Sequence, residues 1–187
     1  MAFADVVATS SDPRLGAIRL AWWRERLEDI TGPEAAPAEP RLQAVVRELL
    51  PRGISGAELS QLEDAWLPLL EPFPWSEPQA HGLALRGQLL FGIGARLLGG
   101  EPQQAENAGA FWSLVDGAQH CSDAASRQAM LSEAQAIDLS AKVPRVLRPL
   151  TLVAAVAVPA LTDPASGVAR GMAALRHRAT GRFARGR

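Results

Sequence analysis

No stretch narrows the possible structure of this chain more than Arg19-Leu20-Ala21-Trp22-Trp23-Arg24-Glu25-Arg26-Leu27. It lies inside a pattern in which Gly16, Leu20, Trp23, Leu27 and Ile30 recur at spacings of four, three, four and three. A helix puts that set on one face, whereas a strand scatters it over two. Asp12 and Pro13 start the helix: Asp12 can cap orphan N–H groups, and proline suits a first turn, where its missing N–H costs nothing. Gly32 and Pro33 end it. Leu15, Ile18 and Trp22 form a second apolar stripe beside the first, so the front half of the helix is expected deep in a bundle. Arg24, Glu25, Arg26, Glu28 and Asp29 give its second half a solvated back.

The rest of the chain repeats the helical idiom. Residues 1–9 read as a short helix, and the Pro- and Ala-rich stretch 31–40 as a surface loop. A short helix follows with Leu42, Val45, Val46, Leu49 and Leu50 inward. The next buried face is Leu59, Leu62, Trp66, Leu69 and Leu70. Ser55-Gly56-Ala57-Glu58 and Ser76-Glu77-Pro78-Gln79 are capping boxes, in which the first and last side chains satisfy each other's backbone donors. The helix opened by Ser76 reaches Gly99 with Gly82, Gly87, Gly92 and Gly94 in its interior, each costing about 1 kcal/mol relative to alanine. Such a helix makes sense where another backbone or a ligand comes close. A helix over 101–119 turns Ala108, Phe111, Trp112, Val115 and Ala118 inward. Asp123 can cap another from Ala124 to Ala136. Residues 149–158 read as a core-buried apolar helix. Asp163-Pro164 starts the last, with Val168, Met172 and Leu175 inward. Tyrosine is absent, phenylalanine is scarce, and helix formers dominate. The expectation is an all-α, single-domain bundle of eight or nine helices over 1–187.

The net charge of −1 names no partner, and no nucleic acid is expected. Locally, Arg170, Arg176, Arg178, Arg182, Arg185 and Arg187 follow Asp163 with no further acid. That run reads either as an anion- or membrane-facing tail, with peripheral membrane contact, or as a solvated last helix with cations near its C-terminus. Cys121 is the only cysteine, so there is no internal disulfide framework. The N-terminus lacks the basic and apolar segments of a signal peptide. The longest apolar run, 151–161, is interrupted by Pro159 and falls short of the ~20 residues that span a bilayer. A soluble cytoplasmic protein is expected.

Asp12-Pro13-Arg14-Leu15-Gly16 followed by Arg19-Leu20-Ala21-Trp22-Trp23-Arg24 resembles the squalene/phytoene synthase family, in the branch that includes a mitochondrial complex I assembly factor. Arg86-Gly87-Gln88-Leu89-Leu90-Phe91, Ala108-Gly109-Ala110-Phe111-Trp112-Ser113-Leu114-Val115 and Leu175-Arg176-His177-Arg178 are similar to later family segments in the same order. The resemblance implies an isoprenoid synthase bundle around a central cavity. Its active members join prenyl diphosphates with Mg²⁺ held by two aspartate-rich motifs, because a departing diphosphate needs its charge neutralised. It also implies that the family's first helix is missing upstream of Met1.

Both aspartate motifs are eroded. The first aligns at Ala4-Asp5-Val6-Val7-Ala8, where Asp5 survives between two alanines. The second aligns at His120-Cys121-Ser122-Asp123-Ala124, with Asp116 one turn earlier. The favoured reading is a catalytically impaired member acting as a lipid-binding or assembly-type protein. It would take a prenyl diphosphate, another lipid or a protein partner. The alternative is an active prenyl transferase with an altered, Mg²⁺-dependent site. A third possibility, a zinc-type site from Asp116, His120 and Cys121, suffers because adjacent helical residues point about 100° apart. The candidate cavity or remnant-motif residues are Asp5, Arg19, Arg86, Asp116 and His120. Arg19 and Arg86 would either meet a phosphate or pair with Glu25, Glu63 or Asp64. Trp22, Trp23, Trp66 and Trp112 are expected in the core, and His81 and His177 at the surface or at caps.

Overall fold

The computed structural model describes residues 2–32, 38–162 and 166–184, and these are all helix, turn and loop with no strand among them. They group into two compact units, Met1–Pro72 and Phe73–Arg187.

The first unit is built on the double-tryptophan helix. α1 (Ala2–Thr9) and α2 (Pro13–Glu28) are joined by a tight turn, in which the Asp12 side chain accepts the Arg14 N–H at 2.8 Å and Pro13 opens the helix. α3 (Pro40–Ala44) runs into a π-helical turn over Val45–Leu49 and a 3-10 turn over Leu50–Arg52. α4 (Gly56–Ser60) is capped by Ser55, whose Oγ accepts the Glu58 N–H at 3.1 Å. α5 (Leu62–Trp66) and a 3-10 turn over Leu67–Leu70 complete the unit. α2 packs on α1, α4 and α5. It meets α4 where Gly56 lies against the carbonyl oxygen of Leu27, a place no Cβ could occupy. The expected inner face holds: Gly16, Leu20, Leu27 and Ile30 are buried, and Trp23 is half-buried.

The second stripe does not. Leu15, Ile18 and Trp22 are exposed, because the short helices around α2 cover one of its sides and leave the other in water. Of the tryptophans expected in the core, Trp66 is buried, Trp23 and Trp112 are half-buried, and Trp22 stands outside with its ring edge-on to Trp23 at 5.1 Å.

In the second unit, α6 (Glu77–Leu97) opens with the Ser76–Gln79 capping box, and α7 (Gln103–His120) lies along it. Gly87 and Gly109 face each other at the crossing. A Cβ on either would collide with the other's carbonyl oxygen, so at Gly87 the close approach is helix on helix. α7 also packs on α8 (Ala124–Ala136) and α9 (Arg148–Ala157). Asp123 caps α8, accepting the Ser126 N–H at 2.7 Å. α10 (Gly167–Thr180) packs on α9 and starts at Ser166, whose Oγ accepts the Ala169 N–H. The Asp163-Pro164 start, the Pro33 stop and the arginines at 185 and 187 lie outside the described residues.

Three expectations for this C-terminal pair are corrected. α9 buries only one side, with Thr151, Ala154 and Ala155 inward and Val153 exposed. On α10 the apolar set faces out: Val168, Met172 and Leu175 are 80, 62 and 63% exposed. The buried residues of α10 are instead Ala173 and His177, and His177 is wholly buried rather than at the surface. The Thr151 hydroxyl meets the Leu147 carbonyl at 3.0 Å and His177 Nε2 at 2.8 Å. A carbonyl can only accept, so the hydroxyl proton goes to Leu147 and Nε2–H donates to the hydroxyl oxygen. Phe183 stacks on the ring at 4.6 Å. This polar contact ties α10 to α9 with Ala173 and His177 inward, and the larger apolar side chains of α10 face outward.

Candidate ligand groove

The five candidate residues from the sequence divide between the units. In the first, Asp5 on α1 is exposed and bound to Arg41 at 2.6 Å. Arg19 on α2 is exposed and donates to the hydroxyls of Thr9 at 3.2 Å and Ser10 at 3.1 Å. Buried Glu63, one of the carboxylates expected to pair with Arg19 or Arg86, is taken by Arg24 at 3.2 Å. An apolar crevice of about 310 Å³ lies between α1, α2 and α3, lined by Phe3, Trp23, Leu27, Leu42, Val45 and Leu62 among others, with Arg41 in its wall.

The other three candidates stand on α6 and α7. Arg86 is half-buried and donates through Nε and Nη2 to the Oγ of fully buried Ser113, at 3.2 and 2.8 Å. Burial pushes the Arg86 pKa down, and the nearby negative charge of Asp116 opposes that shift. Asp116 follows Ser113 by one turn of α7 and lines a groove between α7, α9 and the start of α10. The groove holds about 310 Å³ and is walled by Trp112, Val115, Leu152, Val153 and Val156, with Asp116, Gln119 and Arg170 as its polar groups. His120 ends α7 with its ring exposed. Its Nδ1 lies 2.8 Å from the Asp116 carbonyl oxygen and 3.7 Å from the Asp116 carboxylate.

The groove lining is thus mostly apolar, with a single acid, Asp116, and one cation, Arg170, among its polar groups; Arg86 lies near enough to Asp116 to feel its charge. Its volume is at the low end for small-molecule sites. Magnesium asks for several carboxylate or other oxygen ligands in an octahedral array. Among the described residues, Asp116 is the one carboxylate lining the groove, and no three His, Cys, Asp or Glu side chains come together to hold a metal ion. The residues present therefore do not fit a multinuclear Mg²⁺ site. The zinc-type set fails on direction: Cys121 is buried with Sγ on the Asp123 carbonyl at 3.5 Å, while the His120 ring is in water.

The sequence points to Arg86 and Asp116 through the family resemblance. It does not point to the α9 wall of Leu152, Val153 and Val156, because a run of apolar residues carries no mark of which members face a groove. Comparison with family models, with curated proteins and with solved structures found no match. No helix among the described residues is long and apolar enough to cross a membrane.

Proposed function

We propose that this chain is a squalene/phytoene synthase-like helical protein of the isoprenoid synthase type that binds an amphiphilic anion, such as a prenyl diphosphate, without turning it over. The observation that carries the reading is the groove that Asp116 lines: apolar side chains to take a hydrocarbon chain, with Arg170 in the same lining to meet an anion. The double-tryptophan block supports the family, and the donor set supports the loss of catalysis. Among the described residues Asp116 has no second carboxylate beside it in the groove, and Asp5 is engaged by Arg41.

The test is calorimetric titration of farnesyl diphosphate with and without Mg²⁺, alongside an assay for released diphosphate. Binding should not require Mg²⁺, and Arg170→Ala should weaken it about tenfold, the worth of a charge-assisted hydrogen bond. Mg²⁺-dependent release of diphosphate with a joined product would establish the active prenyl transferase instead. Absence of binding at about 1 mM ligand, an affinity of about 4 kcal/mol, would end the ligand reading.

A further inference from the structure

We propose that the α9–α10 side of the second unit docks on a membrane surface bearing anionic lipids. The first observation is the outward ridge on α10. Val168, Met172, Leu175 and Ala179 recur at spacings of four, three and four, which makes one stripe, and all four are exposed. Arg176 flanks the ridge on one side and Arg178 on the other. An apolar stripe bordered by arginines is the pattern of a helix lying in a lipid interface.

The second observation is charge. From residue 139 to the end the chain carries nine cations and one acid, Asp163. The preceding residues carry ten cations and nineteen acids, so a net charge of −1 conceals two opposite parts. Arg145, Arg176, Arg178 and Arg182 make no ion pair with any described carboxylate. The third observation is a pocket of about 420 Å³ beside the ridge, lined by Arg145, Arg148, Pro149, Leu152 and Arg178. Arg148 is held there by the carbonyls of Arg178 and Ala179 at 2.9 and 3.0 Å. An anionic headgroup fits that pocket while the ridge enters the acyl boundary. A nucleic acid would use the arginines and leave the ridge in water, so the combination favours lipid.

This inference does not rest on the groove, with which the pocket shares only Leu152, and its test does not use a prenyl ligand. The full chain is sedimented with neutral phosphatidylcholine vesicles and with vesicles containing about 30% phosphatidylglycerol, at low and high salt. Binding should favour the anionic vesicles by about tenfold or more and weaken with salt. Each arginine near such a surface strengthens binding about fivefold, so R176E/R178E should lose more than about twenty-fold. M172D/L175D, at exposed positions and with folding checked by circular dichroism, should lose about tenfold or more. A dye on M172C should shift to the blue on anionic vesicles. Equal binding to neutral vesicles, no vesicle binding, retention of duplex DNA without vesicle binding, or an unaffected M172D/L175D variant would each overturn the proposal.

Discussion

Gly87→Ala is the sharpest test of how the second unit is held together. In an open helix the substitution stabilises by about 1 kcal/mol, because glycine loses more backbone entropy on folding. At Gly87 the new methyl would meet the Gly109 carbonyl oxygen and carbon and the Ser113 Cβ, two of which are backbone and cannot rotate away. Overpacking of this kind costs about 1–3 kcal/mol, toward the upper end where backbone is struck and α6 must move away from α7. The expected net effect is a destabilisation of about 1–2 kcal/mol. Gly171, on the exposed side of α10, has nothing within 4 Å of its would-be Cβ and serves as the control. Gly171→Ala should stabilise by about 0.5–1 kcal/mol. In urea, followed by circular dichroism, the midpoint of Gly87→Ala should fall by roughly 0.5–1 M while that of Gly171→Ala rises. If Gly87→Ala is as stable as the parent with an unchanged slope, the helices do not meet there and the close-packing account is wrong.

Two further outcomes follow from buried polar groups. Burial, joined by the charge of Arg148, pushes the His177 pKa below its ordinary value, while the backbone at Arg182 works the other way. The unfolded chain therefore takes up the proton first as pH falls below about 6.5, and stability present above that pH declines toward the lower folded-state pKa. Urea midpoints measured from about pH 7.5 to 5.5 should show this slope, and His177→Asn should reduce it; an unchanged slope in the variant would refute the assignment. Arg24→Ala removes the cation from buried Glu63 and should cost about 1–2 kcal/mol, reduced from the fully buried case because Arg24 is half-exposed. Glu63→Gln in the Arg24→Ala background should recover part of that loss, and no recovery would mean that packing of the Arg24 stem, not charge, was lost.

Much of the helical order is legible in the sequence because it is local. Asp12-Pro13, Ser55, Ser76 and Asp123 mark helix starts through hydrogen bonds made within four residues, and the structure uses all of them. The α2 inner face is legible for the same reason: its spacing is a property of one helix. The candidate site is legible only in part. Arg86 and Asp116 stand out in the sequence, but the groove that Asp116 shares with Arg170 and the α9 residues depends on helices far apart along the chain.

Which apolar stripe turns inward is another matter. Leu15, Ile18 and Trp22 have the spacing of a buried face, as do Val168, Met172 and Leu175, and both sets lie in water. Periodicity says that a helix has an apolar side, not that a neighbour exists to cover it. On α10 the inward face holds Ala173 and His177, the latter hydrogen-bonded to Thr151. Local sequence sets where many of the helices begin and which residues share a face; the choice among faces belongs to contacts between segments, because burial is a property of the pair that meets.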